Sequence, residues 1–78
     1  MINLYYVVEK QLVCHDPNGG TEETTGNKDI TIYDIDTQSM NLVVFGEFET
    51  ANENNSEDAC QLWLEANKED VICKLIKL

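Results

Sequence analysis

The sequence predicts a small α+β domain with one sheet of about four strands, in the order β-β-β-α-β, and one helix packed on one face. Four stretches are rich in β-branched and aromatic residues, which is typical of strands. One stretch between the third and fourth has the apolar spacing of an amphipathic helix. The length of 78 residues, without an internal repeat, is suited to a single acidic domain over residues 1–78.

The first strand is predicted over residues 2–13, where no Gly or Pro interrupts a run of apolar residues. Alternation places Leu4, Tyr6 and Val8 on one face and Tyr5 and Val7 on the other. Residues 14–29 contain the only Pro and three of the four Gly, so this stretch is predicted to be a long exposed loop.

Two further strands, over residues 30–36 and 41–50, are predicted to form a hairpin, and residues 71–78 a last strand. A turn at residues 37–40 sets Tyr33 opposite Val44 and Ile32 opposite Phe45, on opposite faces of the hairpin. One helix covers only one face of a sheet. The other face is therefore predicted to be apolar and to mediate self-association through Tyr5, Val7, Ile32, Val43 and Phe45.

The helix is predicted over Ser56–Asn67. Asn54, Asn55 and Ser56 are candidate N-caps, and the acidic residues that follow favour the positive end of the helix dipole. Asn67 suits a left-handed helix end. The apolar face is predicted to contain Ala59, Leu62, Trp63 and Ala66, widened by Cys60 and Leu64.

The chain has 15 acidic residues against five lysines, and no arginine, for a formal net charge of −10. Without arginine to grip phosphate, direct binding to nucleic acid is disfavoured, and an anionic membrane is repelled. A basic protein is the partner that such a field attracts. The alternative interpretation is that the charge serves only solubility.

No residue pattern predicts an enzyme, a cofactor or a metal site. The sole histidine, His15, has only its neighbours Cys14 and Asp16 beside it, and adjacent side chains diverge too far to form one site. The three cysteines include no C-x-x-C pair, and no signal peptide precedes them, which favours a reducing, cytoplasmic setting. No apolar run is long enough to span a bilayer.

Carboxylates on the hairpin and at the helix start are predicted to form an acidic patch that binds the partner: Asp34, Asp36, Glu47, Glu49, Glu53, Glu57 and Asp58. In size, acidity and lack of catalytic residues the chain resembles small phage-encoded inhibitors of nucleic-acid-binding systems, including anti-CRISPR proteins and other DNA mimics. The resemblance implies a non-enzymatic protein that blocks a basic partner in the host cytoplasm. The alternative is a small homodimeric structural or regulatory subunit.

Overall fold

A computed structural model describes residues 2–14, 22–69 and 71–78. The elements are β1 (Ile2–Cys14), β2 (Glu22–Asp36), β3 (Asn41–Ala51), α1 (Ser56–Asn67) and β4 (Cys73–Lys77). The four strands form one sheet in the order β3-β2-β1-β4. This arrangement confirms the predicted α+β class and the order of its elements.

The helix joins the two edges of this sheet. Strands β1, β2 and β3 pair antiparallel in sequence order, whereas β4 pairs parallel to β1. A parallel pair needs a long crossover, and α1 provides it while packing on one face. We call this the helix side and the opposite surface the open face. In the part of the chain that is described, no helix has the length and apolar character needed to cross a membrane.

Strand β2 begins at Glu22, so the predicted loop over residues 14–29 is wrong from Glu22 onwards. These residues lack a strand-like composition, but they pair with the far end of β1, where Cys14 lies opposite Glu22. The register shifts between Lys10 and Leu12, and Gly26 has a φ of 88° near this irregularity. That left-handed conformation is one that glycine adopts without steric cost.

A β-bulge at Phe45 changes which residues of β3 face the helix. Tyr33 pairs with Val44 as predicted, but Ile32 pairs with Gly46, which leaves Phe45 as the extra residue. The alternation of side chains between the two faces of the sheet is therefore interrupted at Phe45 and starts again at Gly46. Val44 lies on the open face, and beyond the bulge Glu47 and Glu49 lie there too, because they pair with Thr31 and Asp29.

The core lies between the sheet and α1. Its buried apolar residues are Leu4, Tyr6, Ile30, Ile32, Ala59, Cys60 and Leu64. Trp63 packs against this core and stacks on Phe48, with ring centroids 5.7 Å apart. The predicted helix face is wrong for Leu62, which is 68% exposed, and for Ala66, which is also exposed. The buried stripe instead follows Ala59, Cys60, Trp63 and Leu64.

Local hydrogen bonds define both ends of α1. Asn55 is the N-cap, and its side chain accepts from the backbone N–H groups of Glu57 and Asp58. At the other end Asn67 does not take the predicted left-handed conformation. Among the described residues, Met40 is the one non-glycine residue with positive φ. The side-chain amide of Asn67 donates instead to the Trp63 carbonyl.

Candidate partner-binding face

The open face is the surface that α1 leaves uncovered, and acidic side chains occupy one part of it. Glu9 on β1 pairs with Asp29 on β2, and Asp29 pairs with Glu49 on β3, so the three residues form a row across three strands. Glu47 lies two residues before Glu49 and shares its face. We call Glu9, Asp29, Glu47 and Glu49 the acidic cluster. Neighbouring strands lie about 4.8 Å apart, so the row concentrates negative charge on a small area.

Side-chain amides hydrogen-bond to two carboxylates of the acidic cluster. The Gln11 amide donates to Asp29 at 2.7 Å and to Glu49 at 2.8 Å. The Asn27 amide donates to the second oxygen of Glu49 at 2.7 Å. An amide donor orients a carboxylate without bringing a positive charge to it.

The nearest lysines along the same strands point to the helix side. Lys10 pairs with Lys28, one position away from the Glu9 and Asp29 pair, so alternation sends both lysines to the other face. Lys28 is buried, and its ammonium donates to the backbone carbonyls of Asn52 and Asn54. It therefore anchors the segment that leads into α1.

The predicted acidic patch is divided into three groups rather than gathered into one. Glu47 and Glu49 lie on the open face, whereas Glu53, Glu57 and Asp58 lie in and after the segment that leads to the helix. Asp34 and Asp36 lie at the β2–β3 turn. Asp36 pairs with Asn41, at the opposite end of β3 from Glu49, roughly 25 Å away at about 3.3 Å per residue.

The two aspartates at the turn have local partners. Asp34 accepts a hydrogen bond from the N–H of Ile35, and Asp36 accepts one from the N–H of Gln38. The Gln38 N–H, helped by the Ser39 side chain, holds the pKa of Asp36 below its ordinary value. These contacts serve the turn itself.

A row of apolar side chains crosses all four strands of the open face beside the acidic cluster. Val44 pairs with Tyr33, Tyr33 with Tyr5, and Tyr5 with Ile76. We call these four residues the apolar row. Val44 is 60% exposed, and the other three are half-buried. Val7 lies between the apolar row and the acidic cluster, in register with Thr31.

The predicted apolar face is therefore correct in position for Tyr5 and Val7, which lie on the open face. It is wrong for Ile32, which pairs with Tyr6 and is fully buried beneath the helix. It is also wrong for Phe45, which packs against the core with Lys68 over its ring. Val43 pairs with Asp34, on the helix side, and remains 46% exposed. These errors share one cause, because the register of β2 against β1 sets Tyr6 and not Tyr5 opposite Ile32, which turns this face of the hairpin toward the helix.

Sequence reasoning missed Glu9 and Asp29 as members of the cluster. Glu9 had a usable signal, since alternation places it on the same face as Tyr5 and Val7. Asp29 had none, because it fell within the predicted loop. Its position depends on the pairing of β2 with both neighbouring strands.

Metal-binding clusters and thiols are the reactive groups that the described residues allow to be checked. No three His, Cys, Asp or Glu side chains among them are placed to hold a metal ion, and His15 lies outside these residues. Burial raises the pKa of the Cys60 thiol to about 11. Burial also raises the pKa of Cys73. Raised thiol pKa values make both cysteines weak nucleophiles at neutral pH.

Fold and site together define a small α+β domain with a sheet face, part acidic and part apolar, that none of the described elements covers. The chain matches no protein-family model, no curated protein and no solved structure.

Proposed function

We propose that this domain is a non-enzymatic interaction protein that binds a basic, nucleic-acid-binding partner protein in the cytoplasm and blocks it, as inhibitors of the anti-CRISPR or DNA-mimic type do. The single observation that carries the proposal is the row formed by Glu9, Asp29 and Glu49 across three adjacent strands. Its charges lie on a sheet face that no described element of the chain covers.

Like charges directly opposite each other on neighbouring strands destabilise a sheet. The row contains two such pairs, Glu9 with Asp29 and Asp29 with Glu49. In the isolated domain the Gln11 amide bridges the second of these pairs, whereas a cationic partner would offset the repulsion of both. The charge therefore does more for binding than for folding.

The spacing of the charges suits a site that binds nucleic acid. Neighbouring strands lie about 4.8 Å apart and alternate residues of one strand about 6.8 Å apart. A DNA strand carries one phosphate per ~3.4 Å of rise, which is the same order of magnitude. Lysine and arginine side chains that grip phosphates can equally grip carboxylates.

The test is capture of cell proteins on immobilised domain, with two charge-reversed variants. One variant carries Glu47→Lys and Glu49→Lys in the acidic cluster. The matched control carries Glu65→Lys and Glu69→Lys at exposed positions in and just after α1, and changes the net charge by the same amount. Captured proteins are identified by mass spectrometry, and the fold of each variant is checked by circular dichroism.

We expect the wild type and the control variant to retain basic nucleic-acid-binding proteins that duplex DNA or heparin displaces. The cluster variant should lose them, because its charges oppose the partner's. Equal loss from both variants would attribute binding to net charge alone. Retention by the cluster variant, or capture of proteins that DNA does not displace, would refute the proposal.

A homodimeric subunit is the second candidate, and the exposure of Val44 in the apolar row favours it. A second copy placed on this row would remove its apolar surface from water. Light scattering of the purified domain distinguishes the two candidates. A stable dimer that captures no basic protein supports the subunit.

A further inference from the structure

The acidic cluster and the apolar row lie side by side on the open face, and both run across the strands. On β1 the apolar row contains Tyr5 and the acidic cluster contains Glu9, and these two residues lie roughly 13 Å apart at about 3.4 Å per residue. Val7 lies between Tyr5 and Glu9, and its row continues through Thr31 to Glu47, the member of the acidic cluster nearest the apolar row. The face thus changes from apolar to acidic along the strand direction.

The apolar row has the dimensions of an α-helix footprint. Four strands at about 4.8 Å spacing give a row roughly 14 Å long, which two to three helical turns of ~5.4 Å would cover. A helix with its side chains is about 10–12 Å wide. Its flanking lysines or arginines would therefore extend from the apolar row toward the acidic cluster.

Charge complementarity selects the occupant. A second copy would bring the same net charge of −10 and its own acidic cluster to the interface. Among described lysines, register places only Lys74 on the open face, opposite Asn3. A membrane surface carries anionic lipids and is repelled in the same way. A basic protein segment is the occupant that both halves of the face favour.

We propose that the open face binds an amphipathic basic α-helix of the partner protein, with its apolar side on Val44, Tyr33, Tyr5 and Ile76 and its cationic flank on the acidic cluster. The inference rests on the proposed function and specifies the element of the partner that is recognised. Such a helix presents apolar residues at i, i+3, i+4 and i+7 and places Lys or Arg along one side.

Two synthetic peptides of identical leucine and lysine composition test this inference. In one peptide the leucines line a single helical face, and in the other they are spread around the helix. Binding is measured by fluorescence anisotropy of the labelled peptide, and the site by amide chemical shifts of the domain. The variants are Val44→Ser with Tyr33→Ser in the apolar row, and Glu47→Lys with Glu49→Lys in the acidic cluster. Leu62→Ser, on the exposed side of α1, is the control.

We expect the segregated peptide to bind at least tenfold more tightly than the spread peptide. Both variant pairs should weaken it at least tenfold, whereas Leu62→Ser should not. If the Tyr33→Ser change unfolds the domain, Val44→Lys alone replaces the apolar-row variant. Val44 lies on an edge strand and is already exposed, and the new charge repels the peptide.

Three results would overturn the inference. Equal affinity for both peptides, lost only with the cluster variant, removes the helix and leaves the proposed function standing. A dimer that the Val44→Ser and Tyr33→Ser changes dissociate, and that excludes the peptide, assigns the apolar row to a second copy. Binding of neither peptide also removes the helix, while capture of folded partners still decides the proposed function.

Discussion

Alanine at position 46 would place a methyl group in the volume occupied by the Trp63 indole. A Cβ atom built on Gly46 lies 2.7 Å from Cζ3 and 2.8 Å from Cζ2 of Trp63, and closer still to Cη2. The backbone does not require glycine there, since among described residues only Gly26 and Met40 have positive φ. The indole alone excludes the methyl group.

We expect Gly46→Ala to lower the free energy of unfolding by about 1–3 kcal/mol, the usual cost of overpacking. The indole cannot retreat without losing its stack on Phe48, whose ring plane lies only 10° from its own. A domain of this size has roughly 4–12 kcal/mol of stability at about 0.05–0.15 kcal/mol per residue, so the loss is measurable.

A double-mutant cycle with Trp63→Phe isolates the contact. A phenyl ring ends short of the three indole atoms that block Cβ, so in this background Gly46→Ala should stabilise the strand by about 0.5–1 kcal/mol. The sign of the effect reverses, and the coupling free energy is on the order of 2 kcal/mol. Urea unfolding followed by circular dichroism measures all four proteins. An equal loss in both backgrounds would refute the steric argument.

Three other substitutions test contacts around the helix. Asn55→Ala removes the N-cap and should cost about 1 kcal/mol in urea unfolding; no change would mean that water replaces the cap. Lys28→Met keeps the buried stem of the side chain but leaves two backbone carbonyls without their donor. We expect the free energy of unfolding to fall by roughly 1–3 kcal/mol. A neutral result would show that the ammonium does not anchor the segment that leads into α1. The pKa of Cys60 rises on folding from 9.0 to about 11, so its contribution to stability is complete below pH 9 and is lost as the pH rises toward 11. Burial also raises the pKa of Tyr6, which acts in the same direction. Cys60→Ala should therefore reduce but not abolish the loss of stability at alkaline pH, as measured by urea unfolding. An unchanged loss would show that Cys60 is not its source.

The parts of the fold that local signals define were predictable from the sequence. The bounds of α1 are those expected, because Asn55 and the acidic first turn act within a few residues of the helix start. The β2–β3 hairpin is also as expected next to its turn, where Tyr33 faces Val44. Turn length alone sets that register.

The parts that depend on distant contacts were not predictable. The bulge at Phe45 places Gly46 beneath Trp63, a contact between elements that no pattern within β3 reveals. Residues 22–29 become strand through pairing with β1 despite their loop-like composition. Both features decide which residues belong to the acidic cluster. The bulge sets the orientation of Glu49, and the pairing of residues 22–29 with β1 positions Asp29.

The bulge gives β3 one residue more than its pairing with β2 requires. If Phe45 were deleted, Val44 and Gly46 would become neighbours and keep their partners Tyr33 and Ile32. Simple alternation would return without turning any later residue over, so the carboxylates of the acidic cluster would stay on the open face. We therefore expect this deletion to preserve the fold, with a loss of stability because the Phe45 ring packs against the core, as urea unfolding followed by circular dichroism would show. Sequence variation in this strand should accordingly tolerate the loss of one residue at the bulge, whereas an inserted residue would need a second irregularity.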